Sequence, residues 1–335
     1  MTGYFENISI DGIVTVVPPV VEKLSEYSEI IGERKLKRHI NVTGICERRI
    51  CLEKQNIIDL AVAAAQSLLC KMNWKASDVN VIIVVTQSSP LRIPSSAFLV
   101  QKLIGAPEDC LVFDINMGCT AINVGLQTIA SIVNQLGPGS KGVLISSESV
   151  HKQDNEAVTG DSLLFGAAAT AIGVSYSNSA VKIPYMTKSD GSRFDTIMRR
   201  QGGVIEMKGE GVFGFGINEV APDIIRFKEI FNIKDEDIDY YSLHQAQKMM
   251  LDTIAEVVSI PQEKDLRSLE CFGNTSGNSI LVNLCANKDK LTNNDIDIRI
   301  LICGFGVGLS WGIDYITVNA KNIFPIEETS FHYEI

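Results

Sequence analysis

Cys119 is the side chain in this sequence best set to attack a carbonyl carbon. An apolar run from Cys110 to Ile115 reads as a buried strand and Gly118 turns the chain. Ile122, Leu126, Ile129, Val133 and Leu136 then recur at helical spacing. Cys119 therefore falls at or near the first turn of a buried helix. Unpaired N–H groups and the helix dipole there favour a thiolate, the attacking form of cysteine. A buried cysteine is also commonly no more than a small apolar side chain, and the residues alone leave both readings open. His244 ends an apolar strand, Ile238 to Leu243, and precedes a helical stretch, Ala246 to Val258. Sites in α/β sheets lie at the carboxyl ends of strands, although a lone histidine is more often a satisfied structural group. Asn274 lies in the small polar loop from Cys271 to Ser279, ahead of a helix from Ile280 to Ala286. Its amide can donate into a pocket, or Asn274, Thr275 or Ser276 can cap that helix. Gly304, Gly306 and Gly308 alternate between two strands, which lets backbone N–H groups come close to a ligand. A tight bend gives the same alternation. A phosphate loop is a poor reading, because no Lys-Ser/Thr follows and a strand comes next.

The elements that carry these side chains follow from the apolar pattern. Residues 1–20 read as a strand and loop ending at Pro18-Pro19, and residues 21–38 as a charged helix. Thr43-Gly44-Ile45 marks a turn, Ile57 to Asn73 a strong helix, and Val81 to Thr86 a buried strand. Pro90 and Pro94 break the next loop, and Ser95-Ser96 can cap a helix that begins near Ala97. Lys141 to Ser147 is another buried strand. Helices alternating with continuous apolar strands predict a mainly parallel sheet covered on both faces. The second half repeats the pattern. Trp74 to Ile82 resembles Ile233 to Tyr241, each a short charged turn feeding a strand. Each half also has a long helix before a further apolar strand, Lys141 to Ser147 in one and Arg299 to Gly304 in the other. We therefore expect two similar α/β halves, 1–178 and 179–335, joined near Ser175 to Pro184, where Ser, Asn and Pro accumulate. Residues 185–220 are glycine-rich and read as an irregular loop region over a site.

Composition narrows the class. The chain has 335 residues, 45% hydrophobic and 21% charged, as an ordinary soluble enzyme has. A net charge of −10 argues against a nucleic-acid binder. The eight cysteines, at 46, 51, 70, 110, 119, 271, 285 and 303, form no CxxC pair, and several lie inside apolar runs. That fits reduced thiols in a cytosolic protein rather than a disulfide framework or a zinc site. The four histidines, 39, 151, 244 and 332, show no metal-ligand spacing, so no metal is expected. The first residues show no signal pattern, and no apolar run approaches about 20 residues. The expectation is a cytoplasmic protein without a membrane span.

The four motifs in this order resemble the β-ketoacyl-acyl-carrier-protein synthase III family, within the thiolase fold, over nearly the whole chain. Thr43 to Arg49 (TGICERR) is similar to the family's TGI-x-ERR signature. Asp114 to Ala121, Leu164 to Ala171, His244-Gln245-Ala246, Gly273 to Ser276 and Phe305 to Gly312 continue the match. The resemblance implies two similar α/β halves in a layered αβαβα arrangement. It implies that Cys119 takes an acyl group from a thioester and passes it to a carbanion made by decarboxylating a malonyl thioester. The product is a 3-oxoacyl thioester, in fatty-acid or specialised-metabolite synthesis. His244 and the Asn274 side chain would stabilise the enolate oxygen as hydrogen-bond donors. The backbone N–H groups of Cys119 and Val307 would form a second oxyanion site; a glycine is common where Val307 stands. Ile93, Lys152, Gln247 and Gly306 are the implied substrate-binding positions. No cofactor is implied, since coenzyme A or acyl-carrier-protein thioesters are the substrates. The family is usually a homodimer, with the acyl carrier protein as a further partner.

Several positions depart from the family's pattern. The family's HQAN becomes His244-Gln245-Ala246-Gln247, and FGDGA becomes Phe165-Gly166-Ala167-Ala168-Ala169. The tryptophan that helps sandwich the coenzyme A adenine falls near Arg38, the nearby arginine near Val42, and the basic partner across the cleft near Lys152. Coenzyme A binding is therefore expected to be altered or weak. The helix from Gln247 to Ser259 carries one cation, Lys248, against Asp252 and Glu256, where typical members carry more basic charge for the carrier protein. Ile93 stands where a phenylalanine from the partner subunit usually limits the acyl pocket, and an aliphatic there admits a different chain. These departures fit a specialised-pathway member more than the housekeeping initiator. Two other readings are an acyltransferase of the same fold that does not decarboxylate and an inactive partner subunit. The retained Asn274 favours condensation over the first, and the retained Cys119 speaks against the second. A hydroxymethylglutaryl-type synthase would need a glutamate base, for which Glu47 and Glu148 are the candidates.

Overall fold

A computed structural model describes residues 1–152, 158–200, 203–291 and 295–334. In it, the strongest periodic stretch forms the helix Ile57–Lys71. Its start is fixed by a reciprocal capping box. The Asn56 side chain accepts from the Ile58 N–H at 2.8 Å, and Asp59 accepts from the Asn56 N–H at 2.8 Å. The helix Ser96–Ile104 is capped differently from the expectation at Ser95-Ser96. Ser95 makes no capping hydrogen bond; the Asp114 carboxylate takes the Ser96 and Ala97 N–H groups at 2.6 and 2.8 Å. A charge brought from the neighbouring strand outdoes the local hydroxyl.

Val81–Val85 pairs in parallel with both Leu111–Ile115 and Lys141–Glu148. Lys141–Glu148 is antiparallel to Ala168–Tyr176, which is antiparallel to Ile8–Val17. The second half repeats this order. Tyr240–Leu243 is parallel to Asp297–Gly306, which is antiparallel to Ser310–Asn319, which is antiparallel to Ile183–Ser189. The sheets are thus mixed rather than mainly parallel. Ser310–Asn319 returns beside Asp297–Gly306 through the turn 307–309, and a connection that short makes an antiparallel pair.

Side-chain alternation builds five layers. Val81, Ile83 and Val85 point to a central core shared with Ile300, Ile302 and Ile316 of the second sheet. That core holds the helices Ala121–Leu136 and Ser279–Ala286. Ile82 and Val84 point the other way, under Ile57–Lys71 and Ser96–Ile104. Tyr241, Leu243, Leu301 and Cys303 face Ala221–Phe231 and Lys248–Val258 on the far side. A period of two with both faces apolar is what a strand between two helix layers requires. The result is the αβαβα arrangement of two similar halves that the resemblance implied. The chain ends cross between the halves, Thr2–Phe5 pairing with Ile183–Ser189 and Glu327–Glu328 with Val16 and Val17.

Two further stretches differ from the sequence reading. Within 21–38, Val20–Lys23 is a strand paired with Glu47–Ile50, and the main helix is Glu33–Thr43, ending on Gly44 at φ +76°. Residues 185–220 are more ordered than expected. They hold the strand Ile183–Ser189, the antiparallel pair Ile197–Arg199 with Ile205–Met207, and the helix Gly209–Phe215. Three glycines hide that helix, because glycine is a poor helix former and gives no apolar period. Phe215 against Trp311, ring centres 5.3 Å apart, anchors it.

Candidate active site

The strand Leu111–Ile115 delivers the chain to the central layer, and the helix after it begins at Ala121 with Thr120 as its cap residue. Cys119 therefore sits two residues before the helix, next to its first turn. The Thr120 hydroxyl lies 2.9 Å from that of Ser310, which donates to the Val307 carbonyl at 2.7 Å. This ties the Cys119 turn to the hairpin 297–319. The alternating glycines allow the contact. Gly306 has φ +153°, and a Cβ there would stand 2.5 Å from Cys119 Sγ. Gly304 faces the Cys119 carbonyl, and Gly312 faces the Asn123 side chain, with similarly little room. Only glycine lets the two segments meet this closely.

The N–H groups of Val307 and of Cys119 itself reach the sulfur and favour its thiolate. Burial outweighs them and, with the nearby Glu148 charge, pushes the Cys119 thiol up to about 11. The thiolate expected at a helix end is thus opposed by desolvation. At neutral pH the resting sulfur carries its proton.

His244 ends the strand Tyr240–Leu243 and is 2% exposed. Its ring stands edge-on to Phe305, centres 5.4 Å apart, while the next residue, Gly306, meets Cys119. Nδ1 lies 2.7 Å from Ser279 Oγ, which also accepts the Gln245 N–H at 3.2 Å. Burial lowers the His244 pKa to about 4, against a smaller opposing effect of the Ser276 backbone, so the ring is neutral at pH 7. Asn274, 8% exposed, accepts the Ser276 N–H on Oδ1 at 2.9 Å. Its amide NH2 is thereby the end left for a ligand. Ser276 holds φ +54°, a left-handed conformation that costs a residue with a side chain. At Gly277 a Cβ would lie 2.3 Å from the Ala121 Cβ and 2.6 Å from the Gly118 carbonyl. The Asn274 loop therefore packs directly on the Cys119 turn. The segments that carry Cys119, His244 and Asn274, from three distant parts of the sequence, are thus packed against one another.

The other matched motifs frame this site. Asn274 donates its N–H to Leu164 O at 2.8 Å, and Gly166 N–H donates to Asn274 O at 3.1 Å. Arg48, fully buried, donates to the Ser162 and Phe165 carbonyls at 2.6 and 2.9 Å and to Glu22 at 2.6 Å. The first arginine of the TGICERR stretch is thus a lock on the segment that holds Asn274. Gln245 is buried and ties its own loop to Ser268 N–H at 3.2 Å.

Of the expected substrate positions, Gly306 lies against Cys119. Gln247 is the cap residue of Lys248–Val258, with Lys248 paired to Asp252. Lys152 is exposed, beside residues 153–157, which lie outside the described ones. Ile93 is 85% exposed. Arg38 is exposed on Glu33–Thr43, with Val42 one turn further on. Of the two glutamates, Glu47 lies beside Cys46 and Cys271, whereas Glu148 acts on Cys119. Ser279 and Gln87 are not marked by the sequence, and Ser276 is marked there only as a possible helix cap and part of the matched loop. Ser279 and Ser276 lie inside the quoted Asn274 loop, and Gln87 follows a buried strand at its carboxyl end, where site residues gather.

Residues 229–318 match the family model for the C-terminal part of 3-oxoacyl-[acyl-carrier-protein] synthase III. The chain is 33% identical over 309 residues to a β-ketoacyl-[acyl-carrier-protein] synthase III of Clostridium perfringens, covering 87% of this chain and 92% of that one. It is 31% identical to the protein of that name from Streptococcus agalactiae, over 81% of this chain and 87% of that one. Among solved structures it is similar to a 3-oxoacyl-(acyl-carrier protein) synthase from Burkholderia xenovorans. That match has a TM-score of 0.91, 24% identity, and covers 98% of this chain and 99% of that one.

Proposed function

The chain belongs to the β-ketoacyl-acyl-carrier-protein synthase III family of condensing acyltransferases, and we propose that it joins an acyl thioester to a malonyl thioester by decarboxylative Claisen condensation. The Cys119 sulfur takes the acyl group, and its proton leaves with the departing thiol. The malonyl thioester then loses carbon dioxide, and its enolate oxygen accepts hydrogen bonds from His244 Nε2–H and the Asn274 amide. The carbanion attacks the acyl carbonyl, whose oxygen is received by the N–H groups of Cys119 and Val307. The sulfur departs as a thiolate, a proton taken up from solvent restores the resting thiol, and a 3-oxoacyl thioester is released. No strong base is needed, which suits a site where the Cys119 thiol and the His244 ring are both neutral at pH 7.

The observation that carries this reading is the orientation of the two donors. Ser276 N–H occupies Asn274 Oδ1. Ser279 accepts from Gln245 N–H and can donate its own hydroxyl to His244 Nδ1, the tautomer that keeps the proton on Nε2 for a ligand. In that arrangement each side chain presents an N–H that a ligand oxygen can accept from.

We take the halves to divide at 178/179 and the working unit to be a homodimer. Leu111–Ile115 pairs with Val81–Val85 on one side only, and Leu111 is 50% exposed. A second copy along that edge would cover it and bring Ile93 to the partner's acyl pocket. The substrates are coenzyme A or carrier-protein thioesters, with no resident cofactor, and the setting is cytoplasmic. All eight cysteines are unpaired, which supports a reducing compartment. Among the described residues no helix is long and apolar enough to cross a membrane.

The test is intact-mass spectrometry after incubation with acyl-coenzyme A and acyl-carrier-protein thioesters from acetyl to decanoyl. A mass increase of one acyl group, absent from Cys119→Ser, is the expected result and also reports the preferred chain. No adduct from either donor type would overturn the acyl-Cys119 step. Asn274→Ala condensing at the parent rate would overturn the oxyanion assignment.

A further inference from the structure

Three neighbouring parallel strands end side by side next to Cys119. Val81–Val85 leads to Gln87, Leu111–Ile115 to Asn116, and Lys141–Glu148 ends on Glu148. The Gln87 N–H donates to Glu148 Oε1 at 2.8 Å, and the Ser88 hydroxyl donates to Oε2. The Gln87 amide then reaches away from the carboxylate. Nε2 donates to Asn116 Oδ1 at 3.2 Å, and Oε1 lies where a Cβ on Gly118 would stand, 2.5 Å from it. One continuous set of contacts therefore runs from Glu148 through Gln87 to both residues, 116 and 118, that shape the Cys119 turn. The condensation uses none of these groups.

We propose that Glu148 is a positioning residue for Cys119: its carboxylate fixes the Gln87 backbone, and the Gln87 side chain holds the Asn116–Gly118 turn so that the sulfur meets the Val307 N–H. This rests on Cys119 as the acyl-accepting nucleophile. A carboxylate here also has an electrostatic cost, because its charge opposes the thiolate. The charged and titratable groups acting on Glu148 are Cys119 and Arg199, the latter from the strand Ile197–Arg199. Burial pushes Glu148 up to about 7, opposed by Ser88, the Gln87 N–H and Arg199, so it titrates near neutrality.

Three variants separate geometry from charge: Glu148→Gln, Glu148→Ala and Gln87→Ala. Each is read by the rate of Cys119 acylation, by the pH profile of Cys119 alkylation with iodoacetamide, and by thermal melting. Glu148→Gln keeps an acceptor for the Gln87 N–H and a partner for Ser88. It should acylate within about twofold of the parent, with its alkylation profile moved to lower pH by the lost negative charge. Glu148→Ala and Gln87→Ala should acylate at least about tenfold more slowly, from a misplaced sulfur. Glu148→Gln as slow as Glu148→Ala would overturn the positioning role in favour of charge alone. Gln87→Ala at the parent rate would overturn it outright. Should Glu148→Ala fail to fold, Gln87→Ala, which leaves Glu148 in place, decides the matter. If the parent accepts no acyl group, the nucleophile reading fails instead; the alkylation rates of the same variants still report whether the sulfur has moved.

Discussion

Ala121–Leu136 and Ser279–Ala286 are the two central helices, one from each half, and each is entered through a turn that carries site residues. The first turn bears Cys119 and is held by side chains and close packing, through Thr120 on Ser310 and the sulfur against Gly306. The second bears Asn274 and is held by backbone hydrogen bonds to Leu164 and Gly166 and by the positive φ of Ser276. Burial acts on both halves in the same sense and on opposite chemistries. It keeps the Cys119 thiol protonated, with a pKa of about 11, and it keeps His244 neutral, with a pKa of about 4. The comparison teaches that the repeated fold supplies a dry seam between two central helices. Which loop fills each end decides whether it attacks or stabilises. A dry seam suits oxyanion stabilisation by neutral donors, because hydrogen bonds there are not weakened by water.

Breaking one end at a time should separate the two roles. Cys119→Ala should lose acyl transfer by at least about ten-thousand-fold and still decarboxylate the malonyl thioester, because the second end is intact. Adduct mass and carbon dioxide release check the two parts. His244→Ala and Asn274→Ala should do the reverse. Decarboxylation should fall on the order of a hundredfold to a thousandfold, while acyl-Cys119 still forms. If both steps fall together in these variants, the ends are not separable. Gly306→Ala sharpens the contact between them. A Cβ 2.5 Å from the sulfur at φ +153° should displace the sulfur and slow acylation by about tenfold to a hundredfold, read as single-turnover kinetics.

The smallest effect is on stability. His244 has a folded pKa of about 4 against an ordinary value of 6.5. Between those pH values the unfolded chain binds a proton that the folded chain refuses. Stability is therefore lost as pH falls from 6.5 towards 4, by up to about 3 kcal/mol at the acid end. Asp314, with its pKa raised to about 8 by burial, works in the opposite sense: the folded form holds the proton, and stability is lost as pH rises towards 8. Melting curves at pH 7 and 4.5 for the parent and His244→Gln isolate the histidine term. The variant should lose less on acidification, and equal losses would show that His244 is not the refused proton site.

Much of this was legible in the residues. The charged turns before Val81 and Tyr240, matched in the sequence, are both short 3-10 turns feeding the strand at the same position in each sheet. Helix Ile57–Lys71 and the buried strands were readable because their apolar periods are long and unbroken. The strand directions were not readable, because continuous apolar runs mark burial on both faces and do not encode whether a neighbour runs parallel. The helix Gly209–Phe215 was hidden by its glycines, and the Asp114 cap by the distance in sequence between a carboxylate and the N–H groups it serves.

By itself the sequence determined the layered class, the order of elements and the residue types of the site, since periodicity, glycine spacing and a nucleophile's neighbours are local. Only the tertiary structure decided what those residues are in their resting state. Cys119 is a thiol rather than a thiolate because the helix and hairpins that enclose it come from both halves of the chain. His244 is a neutral donor for the same reason, and Glu148 reaches the Cys119 turn only because three strands end side by side. Desolvation and long-range hydrogen bonds depend on which surfaces meet, and no local pattern records that.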